Sequence, residues 1–396
     1  MDEKIFSELI ITSENQKSNA LNYPKKRYLY QLIKNTPKEY FAGISGLRGI
    51  GKTIMLTQLS NEFENSVYFS ADSSILREYS LYEIVKYLSS KNYKNIFIDE
   101  IHYKQNWEQD LKTIYDENLS RIFFSGSSAI QLKKGADLSR RALLFSLNPL
   151  SFREFLEIKK GFENLKTITL KELLDFEKRK KLITKTSKLN EYLQEYYKFG
   201  GLILPQGDQS YLYKSIEGII NKIIHWDLEY LRTVNLSLEN DILKILSWIA
   251  ISPAGEVNYS SLSSKISITK PTLIKLIDDL FKLGVIIPIF PCGKAQIRKE
   301  PKIYLSFPLR EYFCSSLFRQ SDIGSLREEF FTFHTRNICY FKTKRGKKIP
   351  DFLFEGKRFE IGGESKSLNQ NPDYLVKDST IIEEKTIPLY LFGFLY

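Results

Sequence analysis

Cysteine and histidine each occur only three times in 396 residues, and neither set is spaced for metal. Cys292, Cys314 and Cys339 are odd in number, far apart and without a C-x-x-C pair, so they predict neither a disulfide framework nor a zinc site. His102, His225 and His334 are isolated from one another and from the cysteines, which leaves no histidine metal centre to expect. No uninterrupted apolar run reaches the ~20 residues of a membrane span. The opening MDEKIFSELI carries acids where a secretory leader carries Lys or Arg, so a cytoplasmic protein with no membrane partner is the expectation. An excess of negative charge is also missing. With 58 Lys and Arg against 47 Asp and Glu the net charge is +11, which favours anionic partners such as duplex DNA. The basic residues gather in PKKR (24–27), KRKK (178–181) and KTKRGKK (342–348), and the first two read equally well as solvated faces.

Glycine, by contrast, is concentrated. GISGLRGIGKTIML (43–56) holds Gly43, Gly46, Gly49 and Gly51 and then turns apolar. Such bare backbone is expected where a chain turns tightly or approaches a ligand. Gly46, Leu47, Arg48, Gly49, Ile50, Gly51, Lys52 and Thr53 spell G-x-x-x-x-G-K-[ST]. In that loop N–H groups cradle phosphates, the lysine reaches the β- and γ-phosphates and the hydroxyl holds Mg²⁺. The context fits, because YFAGIS (40–45) reads as a buried strand and Thr53 to Phe63 has helical apolar spacing. NIFIDEIHY (95–103) then delivers two acids at the end of an apolar strand. Asp99 is expected to hold Mg²⁺ through water, and Glu100 to orient and deprotonate the attacking water. ATP and Mg²⁺ are therefore the expected cofactors. Asp99-Glu100-Ile101-His102 also spells the D-E-x-H of some helicases, but no second phosphate loop or ATPase-like core follows, so His102 reads as a residue beyond the strand.

Strand-like runs alternate with helical patterns to about residue 150, which implies an α/β fold with a parallel sheet and ligands at its carboxyl edge. SGSS (125–128) falls at that edge, where a hydroxyl such as that of Ser127 could sense the γ-phosphate; an ordinary turn is the alternative. Residues 151–232 read as a helical lid rich in Lys, Glu, Leu and Tyr. From about 233 to 305 three helices and a hairpin follow, with Thr269 as N-cap and Pro271 in the first turn of the third helix. That is the order of a winged helix-turn-helix, whose third helix enters the major groove. Lys270, Lys275 and Lys282 lie on or beside that helix and Asp278 and Asp279 dilute them, so a DNA reader and a protein-docking module both remain open.

In the last segment, 306–396, IPDFLFEGKRFEIGG (349–363) reads as two strands about a Glu355-Gly356 turn. Counting back pairs Phe354 with Lys357, Phe352 with Phe359 and Asp351 with Glu360. Two acids facing across a ladder repel, so the pairing makes most sense with a cation between them. A register slip of one residue would dissolve it.

Taken together and in order, GLRGIGKT, FIDEIHYKQNWEQDLKTIYDE, FFSGSSA, RALLFSLNPLSFREFL and YKFGGLILP resemble the prokaryotic AAA+-type ATPases that carry a winged helix and a C-terminal restriction-endonuclease-like domain. The resemblance spans nearly the whole chain. It implies a P-loop NTPase core over 1–150, then the lid, the winged helix and a small α+β nuclease-like domain over 306–396. It implies a trans-acting or sensing arginine at Arg141, hence a homo-oligomer, with Arg140 standing where the family commonly has glycine. It also implies that Glu328 completes a second metal site with Asp351 and Glu360, as the corresponding helix acid does in PD-(D/E)xK nucleases. Gly362 departs from the pattern, which has lysine there; the nearest lysine is Lys366. A cleaving domain and a binding-only domain are both compatible with that departure.

Overall fold

The computed structural model describes residues 1–127, 136–204, 208–229, 234–293, 300–342, 349–366 and 371–396. The chain forms two compact units, Met1–Asn148 and Pro149–Tyr396. In the first, the apolar runs become β1 (Phe41–Ser45), β2 (Ser66–Ser70), β3 (Asn95–Asp99), β4 (Arg121–Gly126) and β5 (Ala142–Ser146). They form one parallel sheet in the order β2-β3-β4-β1-β5. Helices α1 (Glu3–Ala20), α2 (Tyr30–Lys34), α3 (Lys52–Ser60), α4 (Leu81–Ser90), α5 (Trp107–Asp116) and α6 (Ala136–Ser139) complete it. Ser80 and Glu83 close a capping box on α4, satisfying N–H groups the first turn would leave orphaned. The 18-residue α1, capped by Asp2, lies against β2: Tyr68 N–H donates to Ser13 Oγ (2.9 Å) and Lys17 Nζ to the Ser66 carbonyl (2.8 Å). Phe97 and Phe123 stack at 4.6 Å between centroids, so the sheet centre is aromatic.

The second unit opens with α7 (Phe152–Lys159), α8 (Leu170–Leu174), α9 (Phe176–Thr186), α10 (Leu193–Phe199) and α11 (Gln209–Lys222). Next come α12 (Leu236–Ile251), α13 (Tyr259–Ile266), α14 (Lys270–Lys282) and the antiparallel pair β6 (Ile286–Ile289) and β7 (Lys302–Leu305). Thr269 caps α14 and Pro271 sits in its first turn, where a missing N–H costs nothing. The unit ends with α15 (Leu309–Ser316), α16 (Ile323–His334), β8 (Cys339–Tyr340), β9 (Phe352–Phe354), β10 (Lys357–Gly362), β11 (Tyr374–Lys377) and β12 (Thr386–Pro388). The last five strands form a sheet in the order β12-β11-β10-β9-β8. The β9–β10 turn takes positive φ at Glu355 (44°) and Gly356 (76°), as a two-residue hairpin of native twist requires.

A single aromatic core runs through segments that the sequence divides in three. Phe152, Tyr196 and Tyr197 of the helical segment share it with Phe307, Phe330, Phe352 and Phe392. The chain therefore divides at 148/149, and the helices from Phe152 to Tyr197 share one core with the C-terminal sheet.

The cysteine expectation is corrected. Cys292 and Cys339 form a disulfide, while Cys314 is a buried free thiol. Their sequence separation of 47 hid the pairing. The strand-like stretch after β6 runs beside β8, with Cys292 N–H donating to the Tyr340 carbonyl (2.9 Å) and Tyr340 N–H to that of Phe290 (3.1 Å). No described helix is long and apolar enough to cross a membrane.

His334, fully buried, is held as the neutral tautomer. Its Nε2 accepts from Phe152 N–H (3.0 Å) and its Nδ1 donates to the Phe330 carbonyl (2.8 Å). Burial pushes its pKa down to about 3. The unfolded chain protonates this imidazole below about 6.5 and the folded chain refuses the proton, so its contribution to stability is lost as pH falls from there towards 3. At pH 5 the loss is about 2 kcal/mol. His334→Gln should be destabilised at pH 7.5, and in urea melts its deficit against the parent should shrink by about 2 kcal/mol at pH 5. A deficit independent of pH would contradict the buried neutral imidazole.

Candidate nucleotide site and the acidic cluster of the tail

The phosphate loop leaves β1 at its carboxyl end and enters α3 at Lys52. Gly51, the N-cap, has φ 92°, and no side chain caps the helix, so the first-turn N–H groups are left for an anion. A Cβ on Gly46 would fall 2.4 Å from the Leu147 carbonyl oxygen, so only glycine lets the loop close against β5. Lys52 Nζ donates to the carbonyls of Gly46 (2.9 Å) and Leu47 (3.0 Å), folded onto the loop it would serve. Arg27, buried from the PKKR segment, braces the same loop by donating to the Ile50 carbonyl and to that of Asn148 (2.7 Å). Within that cluster Arg27 alone is buried, and Lys26 stays exposed. In KRKK, Lys178, Lys180 and Lys181 are exposed, while Arg179 is buried and donates to the carbonyls of Leu173 (2.6 Å) and Glu384 (2.5 Å).

Asp99 ends β3 beside the loop. Thr53 Oγ1 donates to its Oδ2 (2.6 Å), as does the Tyr68 hydroxyl (3.1 Å), and Ser125 Oγ donates to Oδ1. Burial, with Glu100 beside it, raises the Asp99 pKa. A hydroxyl and a carboxylate side by side at the foot of a phosphate cradle suit Mg²⁺, which keeps several waters and needs few protein ligands. Glu100 takes the left-handed conformation (φ 51°, ψ 45°), which turns its side chain away from the strand direction. Its Oε1 lies 3.3 Å from Arg48 Nη1 and its Oε2 3.5 Å from His102 Nε2. Ser127 is buried at the end of β4, and its hydroxyl meets no partner among the described residues. Ser128 lies outside them. Sequence reasoning missed Arg27 and Tyr68, which reach the site through contacts no local pattern encodes.

Residues 38–156 match a family described as an AAA domain. The uncharacterized protein MJ1637 of Methanocaldococcus jannaschii is 30% identical over 349 residues, covering 80% of this chain and 74% of that protein. The chain belongs to the family of MJ1637. Its first unit carries an AAA domain with a phosphate loop, the kind of site that binds nucleotide. MJ1544 of the same organism is 30% identical over 209 residues, covering 51% of this chain and 43% of that protein. A Thermotoga maritima RuvB structure covers 80% of this chain and is itself covered to 98%, at 15% identity and a TM-score of 0.29, too low to add to the strand order.

In this chain Arg141 sits at the wrong edge of the sheet to sense its own nucleotide. Its carbonyl accepts from Phe41 N–H (2.9 Å), at the start of β1, whereas the phosphate loop leaves the far end of that strand, ~16 Å on. Its guanidinium grips Asp116 through Nε (3.0 Å) and Nη2 (2.9 Å). The expectation of a sensing role within one chain is therefore corrected, and only the trans-acting role is left to propose.

The tail hairpin has the counted register, Lys357 against Phe354 and Phe359 against Phe352. The ladder stops there. Asp351 Oδ2 accepts from Ile361 N–H (2.8 Å), so the acid takes the place of a strand carbonyl. Burial first, then Glu328 and Glu360, pushes the Asp351 pKa up to about 7. Glu328, on α16, accepts from the Tyr304 hydroxyl (2.6 Å) and Lys302 Nζ (3.2 Å) of β7. Glu360, on β10, is fully buried, and its Oε1 pairs with the ammonium of Lys366. The three acids thus approach one another, but each already holds its own donor. Among the described residues no group of three or more His, Cys, Asp or Glu is arranged to hold a metal ion. The second metal site expected at Glu328, Asp351 and Glu360 is not assembled among the described residues, where Lys302 pairs with Glu328 and Lys366 with Glu360.

Proposed function

We propose that the chain hydrolyses ATP with Mg²⁺ in its first unit and passes the nucleotide state to a DNA-associated module built from α12 to β7 and the tail sheet. The observation that supports the chemistry most is the contact of Thr53 Oγ1 with Asp99 (2.6 Å) beside the lysine-bearing loop. Bound Mg²⁺ would neutralise charge on the phosphates. Lys52 would leave the loop carbonyls for the β- and γ-phosphates, and Glu100 would orient the attacking water and take its proton. Arg48, now paired with Glu100, lies in the loop itself, so an arriving triphosphate competes for its guanidinium.

The net charge of +11 and the helix-helix-helix-hairpin order support DNA as partner. A second reading, a module that docks a protein partner, is favoured by the face of α14. Ile274 and Phe281 are exposed there, Lys282 is paired with Asp278 (2.6 Å), and Lys270 donates to Ser260 (3.1 Å). In KTKRGKK, Lys342 pairs with Glu256 (3.0 Å) and residues 343–348 lie outside the described residues. ATP turnover measured with and without duplex DNA at ~50 mM salt separates the readings. The DNA reading expects stimulation and an affinity that falls with salt. Replacing Lys342, Lys344, Arg345, Lys347 and Lys348 by Gln should then flatten the log–log slope by about 0.9 for each phosphate no longer neutralised. Turnover indifferent to DNA, with no binding, would leave the docking module.

A further inference from the structure

The lysine that the hairpin pattern lacks at position 362 is replaced from four residues further on. A Cβ built on Gly362 would lie 2.8 Å from Cβ and from Cγ of Lys366 and 2.9 Å from its Cδ. The stem of Lys366 therefore lies across the bare backbone of Gly362, a path any other residue there would block. It ends at Glu360, whose Oε1 it pairs with and whose Oε2 finds no hydrogen-bond donor among the described residues.

We propose that Lys366 is the resident cation of the tail cluster, built into the chain in place of a divalent ion, so that the tail sheet works without metal. Charge and geometry both point this way. Glu328, Asp351 and Glu360 would bring three negative charges into one partly dry space, and Lys302 and Lys366 return two positive charges to it. A divalent ion entering now would meet an ammonium at Glu328 and another at Glu360 and would have to evict one of them. Lys366 is tethered six residues from Glu360, so its effective concentration there far exceeds that of a free ion. Gly362 and Lys366 form one device: the glycine clears the path and the lysine fills it. The tail acts as a binding domain, and a latent divalent-cation site lies beneath the lysine.

The test is gain of metal binding in the full-length chain without nucleotide, with Mn²⁺ as the probe. The parent should give no saturable heat in titration calorimetry, and its melting temperature should be the same in EDTA and in ~10 mM Mn²⁺. Lys366→Ala strands buried carboxylates, so it should melt lower in EDTA. It should bind one Mn²⁺ with Kd of about 10⁻⁴ M, in the range of weak all-oxygen sites. At ~100 Kd its melting temperature should rise by about 5–10 °C. Adding Asp351→Asn should remove that gain, which assigns it to the cluster and separates it from the nucleotide site at Thr53 and Asp99. Gly362→Ala, whose new Cβ pushes the lysine stem aside, should gain Mn²⁺ binding as well, and it decides the matter if Lys366→Ala does not fold. Sub-millimolar Mn²⁺ binding by the parent that Asp351→Asn abolishes would overturn the proposal. So would Lys366→Ala or Gly362→Ala folding normally without gaining a site.

Discussion

Lys52→Ala should abolish nucleotide binding, and Glu100→Gln should keep it while losing turnover. Lys52 is buried, with its ammonium on the loop's own carbonyls at 2.9 and 3.0 Å, and both of these acceptors are neutral. They hold the charge at the loop where phosphate would arrive. Removing it takes away the one fixed lysine that meets the β- and γ-oxygens in such loops. Glu100→Gln keeps the shape and a hydrogen-bond acceptor for Arg48 but cannot take a proton. ATP affinity should stay within a few-fold and phosphate release should fall by about 10²–10⁴. Equilibrium binding of a fluorescent ATP analogue and a phosphate-release assay read the two effects separately. Undiminished turnover in either variant would remove these residues from the chemistry.

What the sequence disclosed and what it concealed follow from how far each contact reaches along the chain. The phosphate loop is contiguous and its glycines are needed by the backbone itself, as the 2.4 Å approach to Leu147 at Gly46 shows. The hairpin register followed from one two-residue turn, because each further pair is fixed by counting from it. Contacts that depend on tertiary packing left no such mark. Arg27 reaches Asn148 across 121 residues, and the disulfide joins cysteines 47 apart only because the stretch after β6 runs beside β8. Arg141 was placed by motif order, which says nothing about which edge of a sheet a residue occupies. The aromatic core common to Phe152, Phe330 and Phe392 dissolved boundaries drawn from composition, since helices of different segments can close on one another without any shift in pattern. At Gly362 the sequence showed a missing lysine, and only the path of the Lys366 stem showed why glycine is required there.

The neighbour of Glu328 on α16 carries the other large effect. Arg310→Met should lower the stability of the second unit by about 3–5 kcal/mol, the cost of leaving a buried charge without its partner. Arg310 Nε donates to Glu329 Oε1 at 2.8 Å, with both side chains almost wholly buried, and its Nη1 donates to the carbonyls of Ala250 and Ser252 at the end of α12. Glu329 Oε1 also accepts from Leu305 N–H at 2.9 Å. One ion pair thus ties α12, β7, α15 and α16 together. At about 2–4 °C per kcal/mol for domains of this size, the melting temperature should fall by roughly 10 °C. Burial already pushes the Glu329 pKa up. Without the guanidinium the carboxyl can escape its isolation by taking a proton, so the deficit should be smaller at pH 5.5 than at pH 7.5. Glu329→Leu added to Arg310→Met removes the stranded charge and should recover part of the loss. Recovery stays incomplete because the α12 carbonyls and the Leu305 N–H then lack partners, each costing about 1–3 kcal/mol. A single-variant loss under 1 kcal/mol, equal at both pH values, would show that this pair does not hold the second unit together.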